Sequence, residues 1–205
     1  PDGDGTYLPY ARDPGTLARD WAIPGTPGLE HRIGGLEKAN GTGDVSYHHT
    51  NHDLMTRVRA ARIAGIAGPD LDVDDPDGDA TVLVLGWGSS YGPIREAVRR
   101  MRGDGHPVAR AHLRHLNPMP ANLSDVLGRY RRTVVPEMNL GQLSLLLRAR
   151  FDADIQPVSK MSGMAFRADE LHEALLAEIA GDLAAAEYAK ARAAVAAVVT
   201  KGARA

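Results

Sequence analysis

Thr81-Val-Leu-Val-Leu-Gly-Trp-Gly-Ser-Ser-Tyr-Gly-Pro93 is the stretch whose reading decides the fold. Thr81 to Leu85 are apolar or β-branched without the in/out alternation of a half-exposed strand, so both faces are expected to be covered, as in a parallel sheet. The glycines at 86, 88 and 92 permit a sharp turn, and Pro93 suits the first position of a helix. A strand that turns directly into a helix in this way lies at the carboxyl edge of an α/β sheet, where ligands collect.

Working outward, the chain after residue 80 alternates strand and helix patterns. Ile94, Val98 and Met101 form a stripe that ends at Gly103-Asp-Gly105, and Val108 to Leu113 reads as the second strand. Leu123, Val126, Leu127 and Tyr130 mark a helix opened by Pro120 and Asn122, and Thr133 to Val135 is a short strand ended by Pro136. Leu140, Leu143, Leu146 and Leu147 belong to a buried helix, and Ile155 to Val158 is a strand whose Pro157 argues for an edge or a strand end. Leu171, Leu175, Leu176 and Ile179 close the pattern as a fourth helix, capped near Asp169. Such βαβ units imply an α/β fold: an open, mainly parallel sheet with flanking helices.

Upstream, residues 1–50 are dense in Gly and Pro and read as loops that wrap against something else or end an upstream domain. Leu54, Val58, Ala61 and Ile66 then give a helical stripe, capped by Thr50 or Asn51 and stopping near Gly68-Pro69. Asp70 to Asp79 reads as a solvated acidic linker; a calcium loop would need a Gly and a terminal Glu at positions this stretch lacks. The domain reading is therefore 1–68, a linker at 69–79, an α/β domain at 80–180 and an alanine-rich helical tail at 181–205.

A 205-residue chain with 43% hydrophobic residues can bury a generous core. A net charge of −2 gives no bulk attraction to nucleic acid or to an anionic membrane. Without cysteine the chain offers no disulfide, no thiolate nucleophile and no thiolate-held zinc or iron–sulfur cluster. No apolar run is long enough to span a bilayer and no export signal is visible, so a cytoplasmic location is expected. The start at Pro1-Asp-Gly-Asp-Gly, with no initiator methionine, reads as that of a fragment.

Several constellations could carry chemistry. Gly88-Ser89-Ser90-Tyr91-Gly92 matches the G-x-S-x-G elbow of serine hydrolases, with Glu137 and His172 following in the required order. Convincing strands upstream are missing, however, and the plainer reading makes Ser89 and Ser90 caps of the helix at Pro93. Gly88, Ser89 and Ser90 are also a candidate anion-binding turn, although the glycine spacing departs from the dinucleotide fingerprint and no Walker lysine is present. His112-Leu-Arg114-His115-Leu-Asn117 concentrates polar groups at a sheet edge; alternation puts His112 and Arg114 on one face and His115 on the other, which disfavours a metal cluster. His48-His49-Thr-Asn-His52 has ligand-like spacing without well-placed carboxylates and reads as a helix entry. Glu137 is a candidate general acid/base or interface group, with Asn139 as a helix cap and Gln142 just beyond it. No catalytic residue and no metal site is assigned to the chain itself.

Four stretches together resemble the alpha subunit of 2-oxoacid:ferredoxin oxidoreductases, particularly the 2-oxoglutarate type. They are Pro24-Gly-Thr-Pro-Gly-Leu-Glu-His-Arg-Ile-Gly-Gly-Leu-Glu37, Val84-Leu-Gly-Trp-Gly-Ser-Ser-Tyr-Gly92, Ala111-His-Leu-Arg-His-Leu-Asn-Pro-Met-Pro120 and Val134-Val-Pro-Glu-Met-Asn-Leu-Gly-Gln-Leu143. The resemblance implies that residues 1–68 end a pyrimidine-type thiamine-binding domain and that 80–180 form a transketolase carboxy-terminal-like domain. It implies thiamine diphosphate and magnesium held mainly by a beta subunit, an iron–sulfur cluster in a partner, and ferredoxin and coenzyme A as reactants of the assembled complex. His31, Glu37, His112, Arg114, His115, Asn117, Glu137, Asn139 and Gln142 become candidates for a subunit interface or an active-site wall. The family's Tyr-Pro-Ile-Thr-Pro motif, associated with the substrate carboxylate, and the region of its pyrimidine-contacting glutamate have no counterpart here, so the chain alone is expected to be inactive and to bind none of these cofactors by itself.

Overall fold

Val82–Trp87, the run singled out above, is a strand with its first five residues buried, because helices cover it from both sides. The computed structural model describes residues 6–180, which fall into two compact units that divide at Gly68–Pro69. The expectation of a helical tail at 181–205 lies outside the described residues.

The second unit carries the sheet. Its strands are β1 (Val73–Asp74), β2 (Val82–Trp87), β3 (Val108–Leu113), β4 (Arg132–Glu137) and β5 (Ile155–Ser159), in the order β1-β3-β2-β4-β5. All neighbours are parallel except β1, which runs antiparallel to β3. The helices are α2 (Tyr91–Gly103), α3 (Leu123–Gly128), α4 (Gln142–Arg150) and α5 (residues 168–180). Side-chain alternation sorts the sheet into two cores. Leu83, Leu85, Ala109, Ala111, Leu113, Val135 and Ile155 pack against Leu123, Val126 and Leu127 of α3 and Leu143 and Leu147 of α4. Val82, Val84, Val108 and Val134 pack against Ile94, Ala97, Val98 and Met101 of α2 and Leu171 and Leu175 of α5. Each fully buried Leu or Val contributes roughly 1.5–3 kcal/mol of transfer free energy, and the expected open, mainly parallel α/β sheet is the result.

Two sequence readings change here. The acidic stretch is not a free linker over its whole length, because Val73 and Asp74 pair with Ala111 and Arg110 of β3. Its hold is tertiary: Asp74 is ion-paired with Arg110 (2.7 Å) and Arg102 (3.1 Å), Asp75 accepts from the Tyr130 hydroxyl (3.1 Å), and the Asn122 amide brackets the backbone N–H (2.8 Å) and C=O (3.1 Å) of Leu71. Asn122 thus spends its side chain on Leu71 and not on capping α3. The other change is at Pro136, which lies inside β4 and does not end it. Thr133 N–H donates to Asp154, and Glu137 C=O accepts from Lys160, so the odd-numbered residues of β4 face β5. Pro136 therefore faces β2, where pairing has already stopped at Val134, and its missing N–H removes no ladder bond.

The first unit is mostly irregular, with isolated bridges at Tyr10–Gly41 and Lys38–Val45 and one helix, α1 (His49–Ala64). Neither Thr50 nor Asn51 caps α1: the non-helical residue before it is His48, the Asn51 amide ties the helix to the preceding loop through Asn40 N–H (3.0 Å) and Lys38 C=O (2.9 Å), and the Thr50 hydroxyl is 2.7 Å from His48 Nδ1. The helix stops at Ala64, short of Gly68-Pro69, since Gly65 and Gly68 weaken its continuation. Of the expected apolar stripe, Leu54 and Ile66 are exposed; the buried residue of α1 is Met55.

Candidate functional site

β3 and β4 flank β2 on opposite sides, so the chain reverses its winding direction at the carboxyl end of β2, the position where open α/β sheets form a crevice. Trp87 leads into a 3₁₀ turn at Gly88–Ser90, with Gly88 at φ +58°, and α2 starts at Tyr91. Pro93 is the third helical residue and not the first. The Ser90 hydroxyl donates to Trp87 C=O (2.7 Å) and accepts from Trp87 N–H (3.2 Å), and the residue is 5% exposed. It is neither a nucleophile nor a cap for the helix: it closes the turn on itself. Of the candidate anion-binding residues, Gly88 and Ser89 face solvent. The other members of the hydrolase reading are also engaged elsewhere, His172 Nε2 lying 2.9 Å from a carboxylate oxygen of Asp104.

Gly86 lets β2, α2 and β3 meet. A Cβ there would lie 2.5 Å from Ile94 Cδ1 and 2.9 Å from His112 Nδ1, closer than side chains approach. His112 Nδ1 is shielded from solvent and has no hydrogen-bond partner, while the Tyr91 ring meets the imidazole edge-on at 5.2 Å. Burial pushes the His112 pKa below its ordinary 6.5; a hydrogen bond with the Gly88 backbone opposes the shift and Arg114 and Arg110 add to it, so the ring is neutral at neutral pH.

A cavity of about 670 Å³ lies over this end of β3, lined by Tyr91, Arg110, His112, Arg114 and His115 together with Asp70, Asp72 and Asp74. Arg114, His115 and Asn117 are exposed, and Asn117 precedes a cis peptide bond to Pro118. Of the lining residues, His112, Arg114 and His115 were expected from the sequence, whereas Tyr91, Arg110 and Asp74 were missed. The signal for Arg110 was available: a charged residue alternating with Ala109 and Ala111 in an otherwise buried strand requires a partner.

At the end of β4, Glu137 is 1% exposed and accepts from Leu143 N–H (2.8 Å), Ser144 N–H (2.9 Å) and Ser144 Oγ (2.6 Å). It satisfies the first turn of α4, which gives the side chain a structural task whatever its part in an assembled site. Asn139 Oδ1 accepts from Gly141 N–H (2.8 Å) and Gln142 N–H (2.9 Å), forming the loop that delivers α4, while Gly141 (φ +88°) holds the N-cap position itself.

His31 and Glu37 belong to the first unit. His31 Nδ1 is 2.8 Å from Leu29 C=O and its ring meets Tyr7 edge-on at 5.5 Å. Glu37 receives His52 Nδ1 (2.8 Å) and Arg59 Nη1 (3.0 Å), and these hydrogen bonds hold its carboxyl below the usual range. His48 and His49 stack on each other at 4.8 Å, and among the described residues no cluster of three or more His, Asp or Glu is arranged to hold a metal ion.

No protein-family model matches the chain. It is 59% identical, over 197 residues and 96% of its length, to 2-oxoglutarate oxidoreductase subunit KorA of Mycobacterium tuberculosis, spanning 30% of that protein. It is 36% identical over 121 residues, 52% of its length, to the alpha subunit of 2-oxoacid:ferredoxin oxidoreductase 1 of Aeropyrum pernix, covering 19% of that chain. Among solved structures, 2-oxoglutarate:ferredoxin oxidoreductase from Magnetococcus marinus, with 2-oxoglutarate, coenzyme A and succinyl-CoA bound, superposes with a TM-score of 0.72 at 32% identity, over 87% of this chain and 32% of that one. The fold and these matches define a portion of an oxidoreductase subunit. The chain belongs to the alpha subunits of 2-oxoacid:ferredoxin oxidoreductases, and it spans about a third or less of the length of the relatives just described.

Proposed function

We propose that the chain is part of the alpha subunit of a thiamine diphosphate-dependent 2-oxoglutarate:ferredoxin oxidoreductase, acting in the cytoplasm with a beta subunit. The assembled enzyme decarboxylates the 2-oxoacid, passes the acyl group to coenzyme A and delivers the electrons to ferredoxin. The observation that carries this reading is the 59% identity to the mycobacterial subunit across 96% of the chain.

Within that assembly this portion is a scaffold and not a source of reacting groups. Ser90, Glu137 and Asn139 are committed to closing turns and satisfying a helix. An iron–sulfur cluster needs thiolates, which a chain without cysteine lacks, and thiamine diphosphate with its magnesium is read alongside it as held by other parts of the enzyme. Those groups are assigned to the rest of the complex, with the exposed Arg114, His115, Asn117 and Gln142 contacting the partner subunit. Among the described residues no helix is long and apolar enough to cross a membrane.

The test is reconstitution. The complete alpha subunit, co-expressed with its beta partner, should reduce ferredoxin or a viologen dye with 2-oxoglutarate only when coenzyme A is present, and the 205-residue chain alone should not. An intact complex inert towards every 2-oxoacid would overturn the assignment.

A further inference from the structure

The first unit contains a group of arginines that ion pairing does not account for. Asp13 N–H donates to Ala18 C=O (2.8 Å), closing a tight loop that brings Arg12 and Arg19 out side by side. The loop is held under strain, since Leu17 sits at φ +55°, a left-handed conformation that costs a non-glycine residue of the order of 1–3 kcal/mol. Leu17 C=O receives Arg12 Nη1 (2.9 Å), and the Arg19 guanidinium lies 4.3 Å from the centre of the Tyr10 ring. Arg12 Nε and Arg19 Nη1 are shielded from solvent and donate to nothing. Burial and the neighbouring charges of Arg19, Arg62 and Arg59 all act against the charge on Arg12. Arg59 has Glu37 as a partner, whereas none of Arg12, Arg19 and Arg62 forms an ion pair within the described residues. Beside them is a cavity of about 250 Å³ lined by Arg19, Arg62, His31 and Asp20 together with the apolar Trp21 and Ile33.

We propose that Arg12, Arg19 and Arg62 bind the phosphate group of a small phosphorylated ligand, with Trp21 and Ile33 receiving its organic part. Arg19 and Arg62 line the cavity with one carboxylate, Asp20, and Arg12, close enough for its charge to oppose those of both arginines, adds a third guanidinium at the margin, an excess that suits a phosphate monoester dianion better than a monocarboxylate. Guanidinium forks suit phosphate oxygens in pairs, and an anion that draws Arg12 and Arg19 into contact supplies the acceptors their unpartnered N–H groups lack. Trp21, 90% exposed, offers a flat apolar face beside the charges, and Ile33 is 70% exposed. The arrangement requires no partner subunit, so it stands or falls separately from the oxidoreductase assignment.

Trp21 provides the readout. The sequence has two tryptophans, at 21 and 87, so in the full chain carrying Trp87→Phe the fluorescence reports this cavity alone. Titration with phenyl phosphate should give a saturable change, inorganic phosphate should displace it, and benzoate should bind at least about tenfold more weakly. Arg19→Gln and Arg62→Gln should each raise the dissociation constant by about tenfold or more, which corresponds to about 1.4 kcal/mol. Arg62 is an exposed residue of α1, so its substitution preserves the fold and keeps the result interpretable if Arg19→Gln unfolds the unit. The proposal is overturned if phenyl phosphate gives no saturable change, if benzoate binds equally well, if Arg62→Gln binds phosphate like the parent, or if an aspartate-rich peptide displaces phosphate at lower concentration than phosphate itself acts, which would make the cluster a protein-docking surface.

Discussion

The carboxylate of Glu137, at the end of one strand, accepts both the backbone N–H and the hydroxyl of Ser144, seven residues further on in the first turn of α4. Hydrogen bonds to a buried charge contribute about 1.5–3 kcal/mol each, and an unsatisfied donor costs a similar amount. Glu137→Gln replaces one accepting oxygen with a donor that opposes an N–H. It should lower the unfolding free energy by roughly 2–3 kcal/mol, measured by urea denaturation followed by circular dichroism. An unchanged midpoint combined with loss of turnover in the assembled complex would instead restore Glu137 as a reacting group.

Gly86 leads to a second expectation. Gly86→Ala drives a methyl group against Ile94 and His112, and overpacking of this kind costs about 1–3 kcal/mol. Trimming the aliphatic obstacle with Ile94→Val in the same chain should recover part of the loss. A double-mutant cycle should therefore give a favourable coupling energy; strictly additive effects would mean that the clash is relieved elsewhere.

The third prediction concerns pH. Because burial holds the folded-state pKa of His112 below 6.5, the unfolded chain takes up a proton at a higher pH than the folded one. Above 6.5 this residue imposes no penalty. As the pH falls through that value stability is lost, and the loss is complete only below the folded pKa. Urea midpoints between pH 8 and pH 5 should fall more steeply for the parent than for His112→Gln. Parallel curves for the two would show that the imidazole titrates normally.

A fourth expectation separates the acidic segment from a solvated linker. Asp74→Ala removes the acceptor shared by Arg102 and Arg110, and because the Asp74 side chain is partly exposed the global cost should be modest, about 1 kcal/mol. The local effect should be larger. Backbone amides of residues 71–75 should exchange with deuterated water much faster, while those of β2 remain protected. Unchanged exchange in 71–75 would mean that Asn122 and Tyr130 hold the segment alone.

How far the sequence foretold this structure depends on the range of the interactions involved. The strand at 82–87 was legible because an unbroken apolar run needs cover on both faces, and the stripe of Ile94, Val98 and Met101 was legible because helical spacing is local. Ser90 was misread although its partner is three residues away, since the same Gly and Ser pattern serves a cap, a nucleophile or a closed turn. The structural ties of Glu137 and Asp74 were hidden for a different reason. Their partners, Ser144, Arg102 and Arg110, come within reach only after α4 and β3 are in place. The apolar positions of α1 followed a helical period, yet Leu54 and Ile66 remain exposed, because periodicity reports a face and not its cover. For the site, the His112 to His115 cluster was legible from composition, while the aspartates that line the same cavity were hidden in a segment that looked like a spacer.

Both margins of the sheet are closed to further strands by means written into single residues. On one side lies β1, two residues long and antiparallel, its direction opposed to the rest. On the other, Lys160 N–H donates to Glu137 C=O, so the even-numbered positions of β5 turn inward and Pro157 turns its nitrogen, which carries no hydrogen, to the outside. A border row of free N–H and C=O groups is a template on which a second sheet can grow. A two-residue strand on one border and a proline on the other shorten that template, which guards the sheet against edge-to-edge growth.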